Sequence, residues 1–258
     1  AAAAQDVAVL PWNDLPAVER FLDKHAEDTA ALIMEPILCN TCVIKPHAGY
    51  LEGVRALCDR HGVVLIFDEV ITGFRVALGG AQDLLGVTPD LAVYAKALGA
   101  GYPIAALAGK REIMRLLGGP VLHGGSYNTN VVSTVAALHA LQELEQQDGA
   151  AYGHMERLGT ALMNGLRQLA KKIGNKLLVQ GLPTVFNTCF TDRPEIADYR
   201  DYAQHTDAEC LKLFLKVLQD HGVRVTSRGT WFLSTAHTEH DVADTLAAAE
   251  VALRAVQE

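Results

Sequence analysis

Two side chains of opposite charge follow two short apolar runs, and their spacing suggests that they act together. Residues 63–67 read Val-Val-Leu-Ile-Phe and are followed by Asp68, while Lys96 follows a second apolar run and is the only charged residue in 91–109. Apolar runs rich in β-branched residues are typical of strands buried on both faces. The interval from Asp68 to Lys96 exceeds the roughly dozen residues that a crossover between parallel strands needs. Since ligands bind at the carboxyl ends of such strands, we expect the acid and the amine to face one crevice.

The surroundings of the two groups indicate which ligand could lie between them. A lysine among small and apolar residues loses hydration, which favours the neutral, nucleophilic amine. A carboxylate beside it would instead favour a cation, so the pair fits best around a cationic ring such as that of pyridoxal phosphate. An ion pair near 4 Å at an effective dielectric near 20 is worth about 4 kcal/mol, or about three pKa units. That is enough to keep a ring nitrogen protonated. Taken singly, Lys96 also fits a surface lysine and Asp68 a helix cap.

Two segments carry a resemblance to a known family. Residues 66–75 read IFDEVITGFR and residues 95–110 read AKALGAGYPIAALAGK, and both resemble the class III aminotransferases, as does essentially the whole chain. The resemblance implies the α/β fold of the PLP-dependent transferases: a mostly parallel sheet with helices on both faces, here incomplete, plus a small C-terminal α+β domain. It implies that Lys96 forms the Schiff base, that Asp68 pairs with the pyridine nitrogen, and that Val70 lies against one face of the ring.

The same resemblance assigns two more cofactor contacts. In the family a Glu-Pro pair and a loop asparagine lie beside the cofactor, and Asn40 in the loop after Glu35-Pro36 matches that asparagine. A hydroxyl residue after a glycine reaches the phosphate of the neighbouring subunit's cofactor, and Ser126 in Gly-Gly-Ser-Tyr-Asn matches it. Ser126 therefore implies a homodimer with shared active sites. The ordinary alternatives are a turn residue for Asn40 and an N-cap for Ser126.

A third motif bears on the substrate. Residues 226–238 read TSRGTWFLSTAHT, whose ending resembles the glutamate-1-semialdehyde aminomutases, while Ser-Arg-Gly resembles the β-amino-acid aminotransferases. In the latter an arginine binds the substrate carboxylate, which suits the bidentate geometry of a guanidinium. Arg228 is thus a candidate for binding an amino acid or keto acid, and its alternative is a surface arginine. Arg75 could pair with Glu69 or with a substrate acid, and of these we expect a structural salt bridge.

Composition excludes several classes of protein. The chain has 258 residues and a net charge of −8, with no block of basic residues, so partners such as nucleic acid or an anionic membrane are not expected. No apolar run approaches the roughly 18 residues of a membrane-spanning helix. Five scattered cysteines do not form a disulfide pattern and favour a reducing compartment, which predicts the cytoplasm. No metal site is predicted.

The chain is expected to divide into a cofactor-binding domain, 1–149, and a small domain, 150–258. In the second we predict helices over 155–172, 208–221 and 239–256 and strands over 177–180, 185–190, 223–226 and 231–234. Family members are longer, and we expect the segment with their phosphate cup to precede Ala1. The predicted reaction is an amino transfer between an amino acid and a keto acid or aldehyde. The alternatives are an intramolecular 2,1-amino shift, and a non-catalytic dimerisation or binding remnant of the fold.

Overall fold

The computed structural model describes residues 6–126 and 128–257, and its first sheet has the expected parallel core. The strand order is β1-β2-β3-β4, with β1, β2 and β3 parallel and β4 antiparallel to β3 at one edge. The strands are β1 Ala31–Met34, β2 Val64–Glu69, β3 Leu91–Tyr94 and β4 Ala106–Gly109. Parallel strands end at the same edge, and the register pairs Asp68 with Val93 and Glu69 with Tyr94. The prediction of a mostly parallel α/β sheet is confirmed.

Four helices accompany this sheet: α1 Leu15–His25, α2 Tyr50–His61, α3 Gly80–Leu85 and α4 Arg111–Met114. The side chain of Asp14 caps α1 by accepting a hydrogen bond from the backbone of Ala17 at 2.9 Å. Gly62 ends α2 in the left-handed region, with φ of 69°, which a glycine adopts at little cost. Val54, Leu65 and Phe67 have no exposed surface, and they form the centre of the core between the helices and the sheet.

Asp90 anchors the edge of the sheet opposite to Asp68 and Lys96. It accepts a hydrogen bond from the backbone of Leu65 at 2.7 Å and forms ion pairs with Arg55 at 2.9 Å and Lys110 at 2.6 Å. Burial by itself raises the pKa of the Asp90 carboxyl, but Lys110, the Leu65 N–H and Arg55 outweigh it and leave that pKa lowered. The amino ends of β2 and β3 are therefore held by one ionised side chain.

A long helix, α5 Val131–Ile173, leads from the first sheet to a second, antiparallel one. Asn130 caps its start, and residues 146–149 leave helical geometry, so two helical segments meet at a kink. The predicted domain boundary after residue 149 falls at the end of this kink. The remaining elements are β5 Leu177–Leu182, β6 Val185–Phe190, α6 Tyr199–His205, α7 Ala208–Asp220, β7 Thr230–Phe232 and α8 Glu239–Ala255.

The second sheet has the order β5-β6-β7 and packs against the second half of α5, α7 and α8. The rings of Phe186 and Trp231 stack with centroids 5.6 Å apart, and Phe190 meets Phe214 edge-on at the same separation. The strand predicted over 223–226 is wrong. This segment is a loop whose alternating Val223 and Val225 pack against the core without a partner strand.

Several contacts join the loops that follow strands of the first sheet to α5 and the second sheet. The Tyr152 hydroxyl donates to the carbonyl of Phe74 at 3.0 Å, and the Gln180 amide donates to the carbonyl of Cys42 at 2.9 Å. The Cys42 and Cys189 sulfur atoms, both on buried free thiols, lie 3.5 Å apart. Within the described residues no helix has both the length and the apolar character needed to cross a membrane.

Candidate active site

The structure places Asp68 and Lys96 at the same edge of the sheet. Asp68 is the penultimate residue of β2, and Lys96 comes two residues after the end of the adjacent parallel strand β3. Lys96 opens a short 3-10 turn with a left-handed φ of 46°, a conformation that a lysine rarely adopts and that functional positions often hold. Its side chain is exposed, while Asp68 is half-buried.

The acid and the amine do not pair with each other. Among the described residues, neither Asp68 nor Lys96 takes part in an ion pair. The Oδ1 atom of Asp68 accepts a hydrogen bond from the backbone of Val70 at 3.0 Å, which fixes the carboxylate at the start of the following loop. An anion and a cation at neighbouring strand ends thus remain available to a ligand that reaches both.

The loop after β1 lies within the electrostatic influence of Asp68. Glu35 accepts hydrogen bonds from the Cys39 backbone at 3.0 Å and from the Asn40 amide at 3.4 Å. Burial raises the pKa of the Glu35 carboxyl and the Asp68 charge adds to the rise, while Asn40 and Cys39 oppose it. Burial also raises the pKa of the Cys39 thiol, as do Glu35 and Asp68, and Lys96 lowers it. The charges of Asp68 and Lys96 therefore act on groups of this loop.

Arg228 reaches this loop from the turn before β7. Its Nη1 donates to the backbone carbonyl of Asn40 at 3.4 Å and to the side-chain oxygen of Asn40 at 3.3 Å. The two residues are 188 positions apart in the chain, so the packing of the two sheets brings them together. Both bonds are long and exposed, and they leave the guanidinium able to turn towards a carboxylate.

No hydrogen bond between described residues links Ser126 to Asp68, Lys96 or Asn40. It lies in an exposed turn before α5, where the backbone of Asn128 donates to Gly125 at 3.0 Å. The cap of α5 is Asn130, which accepts from the backbone of Ser133 at 3.0 Å, so the alternative of Ser126 as that N-cap is wrong. Tyr127, in the same motif, lies outside the described residues.

The prediction of a structural salt bridge for Arg75 is also wrong. Its guanidinium donates to the carbonyl of Leu233 and lies 5.6 Å from the centre of the Phe232 ring. Glu69 instead accepts hydrogen bonds from Thr72, Ala81 and Gln82. Arg75 therefore ties the loop after β2 to the second sheet, and burial lowers its pKa. Sequence reasoning missed this contact because nothing near Arg75 in the chain marks Leu233 as its partner.

The residues present fit a pyridoxal ring. Lys96 supplies an amine that no carboxylate holds, Asp68 has a second oxygen with no hydrogen bond to the described residues, and Val70 follows on the loop that starts beside it. A carboxylate with a free oxygen can accept from a protonated ring nitrogen, and a lysine at the neighbouring strand end can bond to the ring's aldehyde.

Comparison with known proteins gives one consistent result. The family model described as aminotransferase class-III matches residues 4–245. The chain is 38% identical over 255 residues to glutamate-1-semialdehyde 2,1-aminomutase 2 of Brevibacillus brevis, an alignment that covers 97% of this chain and 58% of that protein. The structure of an omega-transaminase from Sphaerobacter thermophilus superposes with a TM-score of 0.93 at 31% identity, covering all of this chain and 59% of that one.

Two further structures extend the comparison. A transaminase with PLP bound gives a TM-score of 0.86 at 29% identity, covering 96% of this chain and 57% of that one. A β-phenylalanine aminotransferase from Variovorax paradoxus gives 0.85 at 28% identity, with 95% and 56% covered. The chain thus spans less than two thirds of the length of the relatives that it matches.

Proposed function

The chain belongs to the class III aminotransferase family, and from this membership we propose that it binds pyridoxal 5'-phosphate at Lys96 and moves amino groups. The substrates are an amino acid or related amine and a keto acid or aldehyde. The observation that carries the proposal is that Asp68 and Lys96, of opposite charge, stand at neighbouring strand ends. Neither forms an ion pair with the other or with another described residue. Bound pyridoxal phosphate supplies an electron sink for the electrons of a breaking bond at the amine-bearing carbon.

Each residue of the cluster has a separate task in this proposal. The Lys96 amine would hold the cofactor covalently and, as a free amine, would take and return the proton at the substrate carbon. Asp68 keeps the ring nitrogen protonated, with its carboxylate oriented by the Val70 N–H at 3.0 Å. Val70 packs on one ring face and Asn40 borders the cofactor. Ser126 would contact the phosphate of the cofactor bound to a second subunit.

That last assignment makes the active protein a homodimer. Ser126 lies in an exposed turn, so its hydroxyl is able to contact the site of a neighbouring subunit. We further propose that the chain divides into a cofactor-binding domain, 1–149, and a small domain, 150–258. The kink of α5 at 146–149 and the separate core on the second sheet support this division.

Reduction of the covalent linkage tests the proposal. We expect that incubation with pyridoxal phosphate, reduction with borohydride and peptide mapping will find a pyridoxyl mass on the peptide that contains Lys96. The Lys96→Ala variant should lose this label, because Lys96 follows β3 directly, beside the end of β2 that carries Asp68. The measurement is mass spectrometry of the digested protein.

A matched control separates this site from reactive surface amines. The Lys24→Ala variant removes an exposed lysine of α1 and should leave the labelling of Lys96 unchanged. A protein whose label is spread over surface lysines, or is absent from the Lys96 peptide, would contradict the proposal and favour a non-catalytic remnant of the fold.

A second candidate, an intramolecular 2,1-amino shift, is favoured by the identity with the aminomutase of Brevibacillus brevis. Arg228 beside Asn40 serves either reaction by binding a substrate carboxylate. The two reactions differ in their need for a second substrate. Each protein would carry the cofactor in its aldehyde form and receive one amine substrate without an acceptor. A transaminase should then stop after one half-reaction per site, whereas a mutase should go on converting its own substrate. Chromatography of the products decides between them.

A further inference from the structure

Glu69, the last residue of β2, directs its carboxyl group to the face of the sheet opposite to that of Asp68. Side chains alternate along a strand, so neighbours in β2 point to opposite faces of the sheet. Glu69 has no exposed surface. Its Oε2 accepts from the Thr72 hydroxyl at 2.8 Å and the Ala81 backbone at 2.6 Å, and its Oε1 accepts from the Gln82 backbone at 3.0 Å. All of these contacts go to protein, so Glu69 is committed to the fold and not to a ligand.

These bonds hold both ends of the loop that carries Val70. The loop runs from β2 to α3 over 70–79, and Thr72 lies near its start while Ala81 lies just beyond its end. The backbone of Gly73 also donates to the carbonyl of Glu69 at 2.8 Å. Gly80 lets the loop close, because its φ is +75° and a Cβ there would lie 2.4 Å from Oε2 of Glu69. One side chain therefore fixes the loop beside Asp68.

The same carboxyl group is linked to β3. The Gln82 side chain donates to Oε1 of Glu69 at 3.4 Å and to the Tyr94 hydroxyl. Tyr94 is the register partner of Glu69 and precedes Lys96 by two residues. Its ring covers Gly73, where a Cβ would lie 2.3 Å from the Tyr94 ring. We call Glu69, Gln82 and Tyr94 the rear clamp. This group joins the ends of β2 and β3 on the face of the sheet opposite to Asp68.

We propose that Glu69 is a positioning residue: through the rear clamp it sets the separation between the Asp68 carboxylate and the Lys96 amine, and it holds Val70 in place. The inference rests on the proposed function, because that separation matters only if one ring contacts both side chains. A displacement of reacting groups by about 1 Å can reduce a rate by about a hundredfold. An amide at this position would face N–H and O–H donors on both of its terminal atoms, and its own NH₂ group cannot accept from them.

The Glu69→Gln variant tests the positioning. We expect its affinity for pyridoxal phosphate to fall about 10–100-fold, the range found when a group that supports a metal ligand is removed. We also expect the pH midpoint of the visible absorption of the Lys96 linkage to shift, because the distance from Lys96 to the carboxylate changes. The measurements are an absorbance titration with the cofactor and a pH titration of the bound form.

Asp90→Asn is the matched control. Asp90 is also a buried carboxylate of this sheet, with three described partners, but it anchors the opposite edge. This variant should unfold at a lower temperature while it keeps the wild-type affinity and pH midpoint. If Glu69→Gln behaves in the same way, the role of Glu69 is only structural and the inference is overturned.

Tyr94→Phe keeps the proposal testable if Glu69→Gln does not fold. This variant retains the ring over Gly73 and removes only the hydroxyl that Gln82 contacts. We therefore expect the affinity for pyridoxal phosphate to fall by less than about tenfold and the pH midpoint to shift in the direction that Glu69→Gln shows. An unchanged affinity and midpoint would refute the link to β3. A wild-type protein that forms no linkage at Lys96 would overturn the proposed function itself, whereas equal linkage in wild type and Glu69→Gln would overturn only the positioning role.

Discussion

Replacement of Asp68 by asparagine should weaken the affinity of the protein for pyridoxal phosphate about a thousandfold at neutral pH. The half-buried carboxylate is held by the Val70 backbone with one oxygen free for the ring nitrogen. An ion pair near 4 Å at an effective dielectric near 20 contributes about 4 kcal/mol, and each 1.4 kcal/mol is about a factor of ten in affinity. Absorbance titration of the two proteins with the cofactor measures the ratio.

The same variant should change the protonation of the bound ring. The Asp68 charge raises the pKa of the ring nitrogen, so its removal should lower that pKa by about three units. The nitrogen would then lose its proton about three pH units earlier as the pH rises, which nitrogen NMR of a labelled cofactor detects. Asp83→Asn, which removes an exposed carboxylate of α3, should change neither quantity. An affinity of Asp68→Asn within threefold of wild type would contradict the ion pair.

Truncation of Phe214 to alanine should lower the free energy of unfolding by about 3–5 kcal/mol. Phe214 on α7 has no exposed surface, and its ring meets Phe190 of β6 edge-on at 5.6 Å. Removal of the ring leaves a cavity between α7 and the second sheet, and the loss of contacts adds to the loss of buried apolar area. Urea denaturation gives the difference as a lower midpoint with an unchanged slope.

The preceding residue supplies the control for this variant. Leu213 on the same helix is 42% exposed, so Leu213→Ala should cost well below about 1 kcal/mol because little apolar area is lost. Equal effects of the two truncations would show that α7 does not pack as described. A change of slope in Phe214→Ala would instead indicate that the two cores unfold separately.

Elements with a local signal were the ones that the sequence predicted well. The apolar runs before Asp68 and Lys96 are short and bounded by charged residues, the first is also rich in β-branched residues, and both are strands of one parallel sheet. Asp14 caps α1, and the Asp148-Gly149 pair falls in the kink of α5. Capping and turn signals depend on a few neighbouring residues, so they can be read from the chain alone.

Contacts between distant segments could not be predicted in this way. Arg228 meets Asn40 across 188 positions, and Arg75 binds the Leu233 carbonyl rather than Glu69. Both depend on how the two sheets pack. The strand predicted over 223–226 failed because alternating valines also suit a loop that packs on a core. The task of Glu69 did have a signal: alternation along β2 places it opposite Asp68.

In the described part of the chain β1 and β4 are the outer strands of the first sheet, and Ile33 on β1 is 66% exposed. The row of N–H and C=O groups on an outer strand is a template for a further strand. Such a strand laid beside β1 would extend the sheet, and its side chains on the same face would cover Ile33.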